Sequence, residues 1–349
     1  MGYYRLQTKK PLAASPPAAD TTAGRPSDVS ASESNPYDPW TPVVPPRFVG
    51  REGVLRRLDH ALEENRSISL VGDWRIGKSS VLATWEQRAR EKGRTVRCVN
   101  GEGGEGTTPG AFVRAVTGLP APDAPDPAAE VLDGWADAVG RPGLPPLILV
   151  DEADGLFVRF DHRLFERMRG MLGRICLVVA SRKEIDQVCQ ELGRTSPFLN
   201  RLELIRLGLL EPAAAEALIQ RGERFFQPGD AELLRQQAGR HPFYLQLLGR
   251  HLVEANRNGE GRQDALDQFY AEARIRLREW WSTLDAREQQ DLRGGLVESP
   301  VQSPPMIFQG KNKYLRIPIQ RKSLRLRGLV TEEGQLFGEV LADWLREEL

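Results

Sequence analysis

Hydrophobic positions follow different periods in successive parts of the chain. Residues 1–45 have none: Pro, Ala, Ser, Thr and Asp dominate, with few large apolar side chains. Such a segment buries too little surface to offset its ordering entropy, so 1–45 reads as a disordered tail. Tyr3, Tyr4, Tyr37 and Trp40 are its isolated aromatics. From 46 to 208, short apolar runs alternate with helical periods. Gly50 to Glu64 places Val54, Leu55, Leu58 and Leu62 on one helical face. Strands are predicted at Ile68–Val71, Thr95–Asn100, Leu147–Val150, Ile175–Ala180 and Leu204–Leu207. Several are unbroken apolar runs, as parallel strands covered on both faces require. The stretch 101–127, rich in Gly, Pro and acid, reads as a loop with one short helix around Ala111–Val116.

From Glu211 the period is helical. Pro212 suits the first turn of a helix ending at Gln220. Asp230 caps a second helix over 231–238. Gly239 ends it, and His241-Pro242 opens a third through Val253. The span 209–268 therefore reads as a helical unit. The span 269–349 carries helices around Trp280, Trp281 and Leu284, then short helix and strand candidates and a final helix, Phe337–Glu348. That order and size predict a winged-helix domain. The expected fold is α/β: a parallel sheet flanked by helices, followed by the two smaller units.

Composition narrows the function classes. The 349 residues suffice for two or three domains, and 40% hydrophobic with 28% charged residues is ordinary for a globular protein. A formal net charge of zero supplies no global field toward nucleic acid or anionic lipid. No apolar run reaches the length of a membrane span, and the N-terminus lacks a signal-peptide layout. Cys98, Cys176 and Cys189 show no metal spacing and read as buried thiols in a reducing cytoplasm.

The segment Gly72-Asp73-Trp74-Arg75-Ile76-Gly77-Lys78-Ser79 fits G-x-x-x-x-G-K-[ST] between a predicted strand and a predicted helix. In that setting the glycines let backbone N–H groups face phosphate oxygens, and the helix start adds partial positive charge. Lys78 would reach the β- and γ-phosphates of ATP, and the Ser79 hydroxyl would ligate Mg²⁺. Ser80, next in line, belongs to the same candidate nucleotide-binding set. Leu147 to Val150 ends in Asp151-Glu152, a buried strand that carries two acids to the same edge. Asp151 would hold Mg²⁺, and Glu152 would orient and deprotonate the attacking water. Asp154 suits a helix cap better than a site role. After Ile175–Ala180, Ser181 and Arg182 fit a γ-phosphate sensor and a capping serine with a surface arginine equally well. Arg194 and Arg201 fit a trans-acting finger or solvated positions.

Together these pieces resemble the STAND class of AAA+ ATPases. Phe48-Val49-Gly50-Arg51-Glu52 resembles the box preceding their phosphate loop, and Gly239-Arg240-His241-Pro242 resembles the GxHP motif of their helical lid. Leu207 to Leu210 followed by Glu211 resembles the strand-to-lid junction. Arg327-Gly328-Leu329-Val330, then Phe337 and Trp344-Leu345, resembles their winged-helix end. The resemblance implies that Phe48, Val49, Gly50 and Arg51 line the adenine side. It implies that Pro242 touches base or ribose from the lid, and that Arg182 is the polar sensor. It further implies a slowly hydrolysing switch between ADP and ATP forms, with a separate protein partner and nucleotide-dependent homo-oligomers. The alternative is a DNA-associated ATPase of initiator or loader type. Its support is a run of basic residues from Lys311 to Arg327 without an acid. Interleaved Leu315, Ile317, Ile319, Leu324 and Leu326 suit a solvated or internally paired face as well.

Overall fold

The computed structural model describes residues 34–198, 200–297 and 322–348. Within 35–348, the apolar runs assemble into one parallel sheet. Helix α1 (Glu52–Glu63) leads into β1 (Ser67–Gly72), followed by α2 (Lys78–Glu91) and β2 (Val96–Asn100). Helices α3 (Pro109–Thr117) and α4 (Pro125–Val139) connect to β3 (Leu147–Asp151). Helices α5 (Asp154–Arg159) and α6 (His162–Met171) connect to β4 (Cys176–Ser181), and α7 (Ile185–Glu191) to β5 (Leu202–Leu207). The strand order is β2-β3-β4-β1-β5.

Alternation along each strand divides the sheet between two cores. Leu147 and Leu149 of β3 join Ile68, Leu70, Leu58 and Trp85 on the α1–α2 face. Their neighbours Ile148 and Val150 face Phe112, Leu132, Phe157 and Phe165 on the other side. Both faces are thus dry, which is why the strands carry unbroken apolar runs. In register, Val71 lies beside Ser181, Gly72 beside Leu207 and Asn100 beside Asp151. The C-terminal ends of the strands therefore gather on one edge.

Residues 101–127 are more helical than their composition predicts. Thr108 caps α3 by accepting from the Ala111 amide, and prolines occupy the first turns of α3 and α4. Of the thiols, Cys176 and Cys189 are buried but Cys98, on edge strand β2, is exposed. That corrects its expected burial: among the described residues no further strand covers the β2 edge.

The helical remainder comprises α8 (Pro212–Gln220), α9 (Asp230–Ala238), α10 (Pro242–Asn258), α11 (Arg262–Trp281), α12 (Ala286–Val297), α13 (Lys322–Leu326) and α14 (Glu339–Glu348). These share a third core with Leu218, Leu247, Phe269, Leu324 and Leu345. The expected boundary between 268 and 269 falls inside α11. Its buried stripe of Ala265, Phe269, Ala273, Leu277 and Trp280 runs unbroken at helical spacing across that point. An antiparallel bridge joins Val330 to Leu336; the strand candidates and basic residues between 298 and 321 lie outside the described residues. At Gly239 (φ +54) a Cβ would come within 1.5 Å of the Phe337 carbonyl oxygen. Only glycine allows that approach between the α9–α10 turn and the C-terminal segment.

Residues 35–45, expected as part of the tail, are held against the helical core and the start of α2. Tyr37 is 1% exposed. Its hydroxyl donates to the Ile219 carbonyl (2.8 Å) and accepts from the Gly222 amide (3.1 Å). The Asp38 amide donates to Gln246 Oε1 and the Val43 amide to Ser80 Oγ (2.9 Å). Residues 35–47 are thus a strap across the molecule. Composition conceals it because one buried aromatic and a few hydrogen bonds hold it.

His241 gives this core a pH dependence. It packs between Tyr244 and Phe337, with ring centroids at 4.8 and 5.0 Å, and its Nδ1 has no partner. Burial pushes its pKa down from 6.5 to about 3. The unfolded chain therefore binds a proton that the folded chain refuses, and stability falls as pH drops below 6.5. At pH 5 this residue should remove about 2 kcal/mol relative to pH 7. Denaturant unfolding at the two pH values should show a loss smaller by about that amount in His241→Phe than in the parent.

Candidate functional site

The segment between β1 and α2 is a tight loop. Arg75 (φ +56) and Gly77 (φ +101) take left-handed conformations. A Cβ on Gly72 would lie 2.8 Å from Ile76 Cγ2. No side chain caps α2 at Gly77, so its first N–H groups suit an anion. Lys78 is 6% exposed. Its ammonium donates to the carbonyls of Gly72 (2.9 Å) and Asp73 (3.2 Å). Burial lowers its pKa, opposed by Glu152, Asp151, Asp154 and Asp73.

Glu152 follows β3 with φ +52, and its amide donates to Asp151 Oδ1 (3.0 Å). A Cβ on Gly101 would stand 2.5 Å from the Glu152 carbonyl oxygen, so a glycine after β2 is needed to admit this turn. Burial raises the Glu152 pKa, with Lys78 opposing and Asp151 adding to the rise. Asp154 does more than begin a helix. Its carboxylate accepts from the amides of Arg182 (2.9 Å) and Lys183 (3.3 Å), which fixes the loop after β4. Ser181 is fully buried and donates to the Lys183 carbonyl (2.7 Å), so it serves the loop. The Arg182 guanidinium lies 3.6 Å from Glu102 and over the Trp74 ring at 5.8 Å.

A cavity of about 290 Å³ brings most predicted residues together: Phe48, Val49, Arg51, the run from Trp74 to Ser80, Glu152 and Pro242. Gly50, Gly72, Asp73, Asp151 and Arg182 are not on its wall. Gly50 packs against Ala214, where a Cβ would meet the alanine side chain at 2.4 Å. Arg51 reaches the wall, but its guanidinium donates to the carbonyls of Ile76, Gly208 and Leu209. It thereby braces the phosphate loop against the end of β5. Arg194 and Arg201 are exposed and line none of this cavity. Composition hid the strap residues Trp40, Thr41 and Val43, and nothing in the helical period marked Arg221 or Gln246; all line the cavity.

Asp73 turns away from the cavity. Oδ1 accepts from the Trp74 amide (2.7 Å), and Oδ2 accepts from Trp280 Nε1 (3.2 Å) and Arg327 Nε (2.6 Å). Arg327 also donates to Glu288 (2.8 Å) and the Thr283 hydroxyl (2.9 Å). Glu288 and Asp285 cap the start of α12 reciprocally. Arg327, counted in the basic run, is therefore paired inside the protein.

A parallel β2-β3-β4-β1-β5 sheet, a phosphate loop after β1, paired acids after β3 and a helical segment over the cavity define the AAA+ type of P-loop NTPase fold. No family model matches the chain, and no curated protein matches it. Solved structures do. The Walker-type ATPase of Pyrococcus abyssi is 17% identical with a TM-score of 0.58, over 86% of this chain and 96% of that one. The ORC2 protein of Aeropyrum pernix in its ADPNP-ADP complexes is 16% identical with a TM-score of 0.53, over the same shares. Its ADP form is 15% identical with a TM-score of 0.52, over 88% and 96%. At these identities the likeness is one of fold. None of these three bears the STAND name, so the resemblance of Phe48–Glu52 and Gly239–Pro242 to that branch finds no support in them.

The Asp73–Arg327 pair is nearly dry, with side chains 5% and 18% exposed. Removing one partner leaves a buried charge unpaired. Arg327→Ala should lower unfolding free energy by about 3 kcal/mol. Adding Asp73→Asn should recover part of that loss, measured by denaturant unfolding. Strictly additive losses would show that the two side chains are not coupled.

Proposed function

We propose that the protein binds ATP and hydrolyses it slowly to ADP and phosphate. The observation that carries this reading is the buried Lys78 ammonium, held by loop carbonyls, on one cavity wall with Glu152. A desolvated cation beside uncapped helix N–H groups suits a polyphosphate, and a carboxylate held near it suits water activation. The apolar end, with Phe48, Val49 and Pro242 on its wall, suits the adenine ring. Ser79 and Asp151 would hold Mg²⁺. One hydroxyl and one carboxylate form the sparse donor set that this ion takes when phosphates and waters complete its shell. The ion would neutralise phosphate charge. Glu152 would take the proton of the attacking water, aided by burial, which makes its carboxylate a stronger base. Arg182 sits beside Glu102 with its loop fixed by Asp154, a position suited to answering a γ-phosphate.

Between the two finer roles, a DNA-associated ATPase is favoured over a signalling switch. Its support is the ORC2 protein among the fold neighbours, together with a winged-helix reading of 269–349. A separate protein partner and nucleotide-dependent oligomers remain part of the proposal under either role.

Two variants separate binding from chemistry. Lys78→Ala should abolish ATP·Mg²⁺ binding by isothermal titration; undiminished affinity would sink the site. Glu152→Gln should still bind but hydrolyse about a hundredfold more slowly, because the proton acceptor is gone. The base must be ionised, and burial lifts its pKa above the ordinary 4.5. The parent's rate should therefore fall on acidification at a higher pH than an exposed glutamate would dictate.

The DNA role predicts duplex binding that weakens steeply with salt, because Lys and Arg displace condensed counterions. Mobility shifts at rising salt with ATP analogue and with ADP will show it. No shift at low salt in either state would return the choice to the switch.

A further inference from the structure

The strap spans the mouth of the proposed nucleotide site and is fixed at both ends. Tyr37 is buried in the core beneath α8, and the Val43 amide is bonded to Ser80 at the start of α2. Between these points the strap rests on the phosphate loop. Arg75 Nη1 donates to the Pro39 carbonyl (3.3 Å), and the Arg75 guanidinium lies 5.3 Å from the Trp40 ring centroid. The same guanidinium faces Phe243 at 4.8 Å and Trp74 at 6.0 Å, and Phe243 meets Trp40 edge-on at 6.0 Å. Arg276 of α11 covers Trp40 at 5.8 Å, and Arg182 covers Trp74 at 5.8 Å. Guanidinium and indole thus alternate across the mouth: Arg276, Trp40, Arg75, Trp74, Arg182.

This ladder is a selective and weak fastening. Burial lowers the Arg75 pKa, and repulsion from Arg276 lowers it further. Arg75 Nε is buried without a partner. Among the described residues no carboxylate lies within ion-pair distance of Arg75; Glu279 and Glu152 attract it only from further away, and ring faces and one carbonyl make its close contacts. Contacts of that kind are individually worth little at a partly exposed site. Trp40 remains 43% exposed, yet it lines the same cavity as Lys78, together with Thr41 and Val43. A strap secured firmly at its ends and lightly at its middle can lift from the mouth without unfolding the sheet or the helical core.

We infer that residues 38–43 gate nucleotide exchange, with Trp40 as the positioning residue that closes them over the phosphate loop through Arg75. The inference rests on the nucleotide reading above. It assigns the strap to the rate of exchange rather than to affinity, since a gate slows uptake and release alike.

The test is stopped-flow binding and release of a fluorescent ADP analogue with Mg²⁺ by the full chain. Trp40→Ala should release the analogue about fivefold faster and take it up faster too, so that Kd changes much less than the release rate. Trp40→Phe, which keeps an aromatic face, should restore most of the parental rate. Tyr37→Phe, which frees the strap from Ile219 and Gly222, should also speed release and guards against a folding artefact at Trp40. Parental release rates in folded Trp40→Ala and Tyr37→Phe would overturn the gate. So would a rise in Kd equal to the rise in release rate, because it would make Trp40 a ligand contact. A parent that does not bind the analogue sinks the nucleotide reading itself, and the gate with it.

Discussion

One buried guanidinium holds the parts of this protein in register. Arg51 is 4% exposed and sits at φ +65. It donates to the carbonyls of Ile76 (3.0 Å), Gly208 (2.7 Å) and Leu209 (2.9 Å), and its own amide donates to Glu211 (3.2 Å). These groups belong to the phosphate loop, the end of β5 and the approach to α8. Burial lowers its pKa to about 10, so it stays charged at neutral pH. Desolvating a guanidinium is costly, and several carbonyl dipoles aimed at it offset that cost. The loop conformation that holds Lys78, and the angle at which the helical core leaves the sheet, both hang on this group.

The sheet then does for the acids what Arg51 does for the loop. Because β4 lies between β1 and β3, Lys78 and Glu152 approach from separate strands across the loop that follows β4. Asp154 pins that loop by its amides. The backbone of Arg182 is thereby placed, and Glu102 and the Trp74 ring flank its side chain. The site is assembled from strand ends, each short and stiff, with dry cores on both sheet faces to keep them aligned.

Much of this was legible in the sequence. The five strands were readable because burial on both faces demands unbroken apolar runs. The phosphate loop was readable because glycine, lysine and serine each have a fixed mechanical task there. What escaped reading depended on single contacts between distant segments. Tyr37 looked incidental in a tract of Pro and Ser, yet its ring and hydroxyl order the strap. Asp73 looked like a loop residue facing phosphate, but a partner on the C-terminal segment turns it away. Arg51 looked like part of a base-binding box, and nothing in the sequence signalled the carbonyls its guanidinium also braces. That one helix, α11, carries its buried stripe across position 268 was also hidden, because a change of composition does not mark it.

The carboxylate in the phosphate loop has a consequence for modularity. An acid is an awkward companion for a polyanion, and here its charge is cancelled by Arg327, 254 residues further along the chain. Trp280 adds a second donor from the same distant region. The sheet domain is consequently not a portable cassette. Severed after β5, it would retain every residue of the phosphate-loop motif and yet leave the Asp73 carboxylate, behind that loop, without its Arg327 and Trp280 partners. The distal segment is thus an electrostatic component of the proposed nucleotide site, although it contributes no residue to the motif by which such sites are recognised.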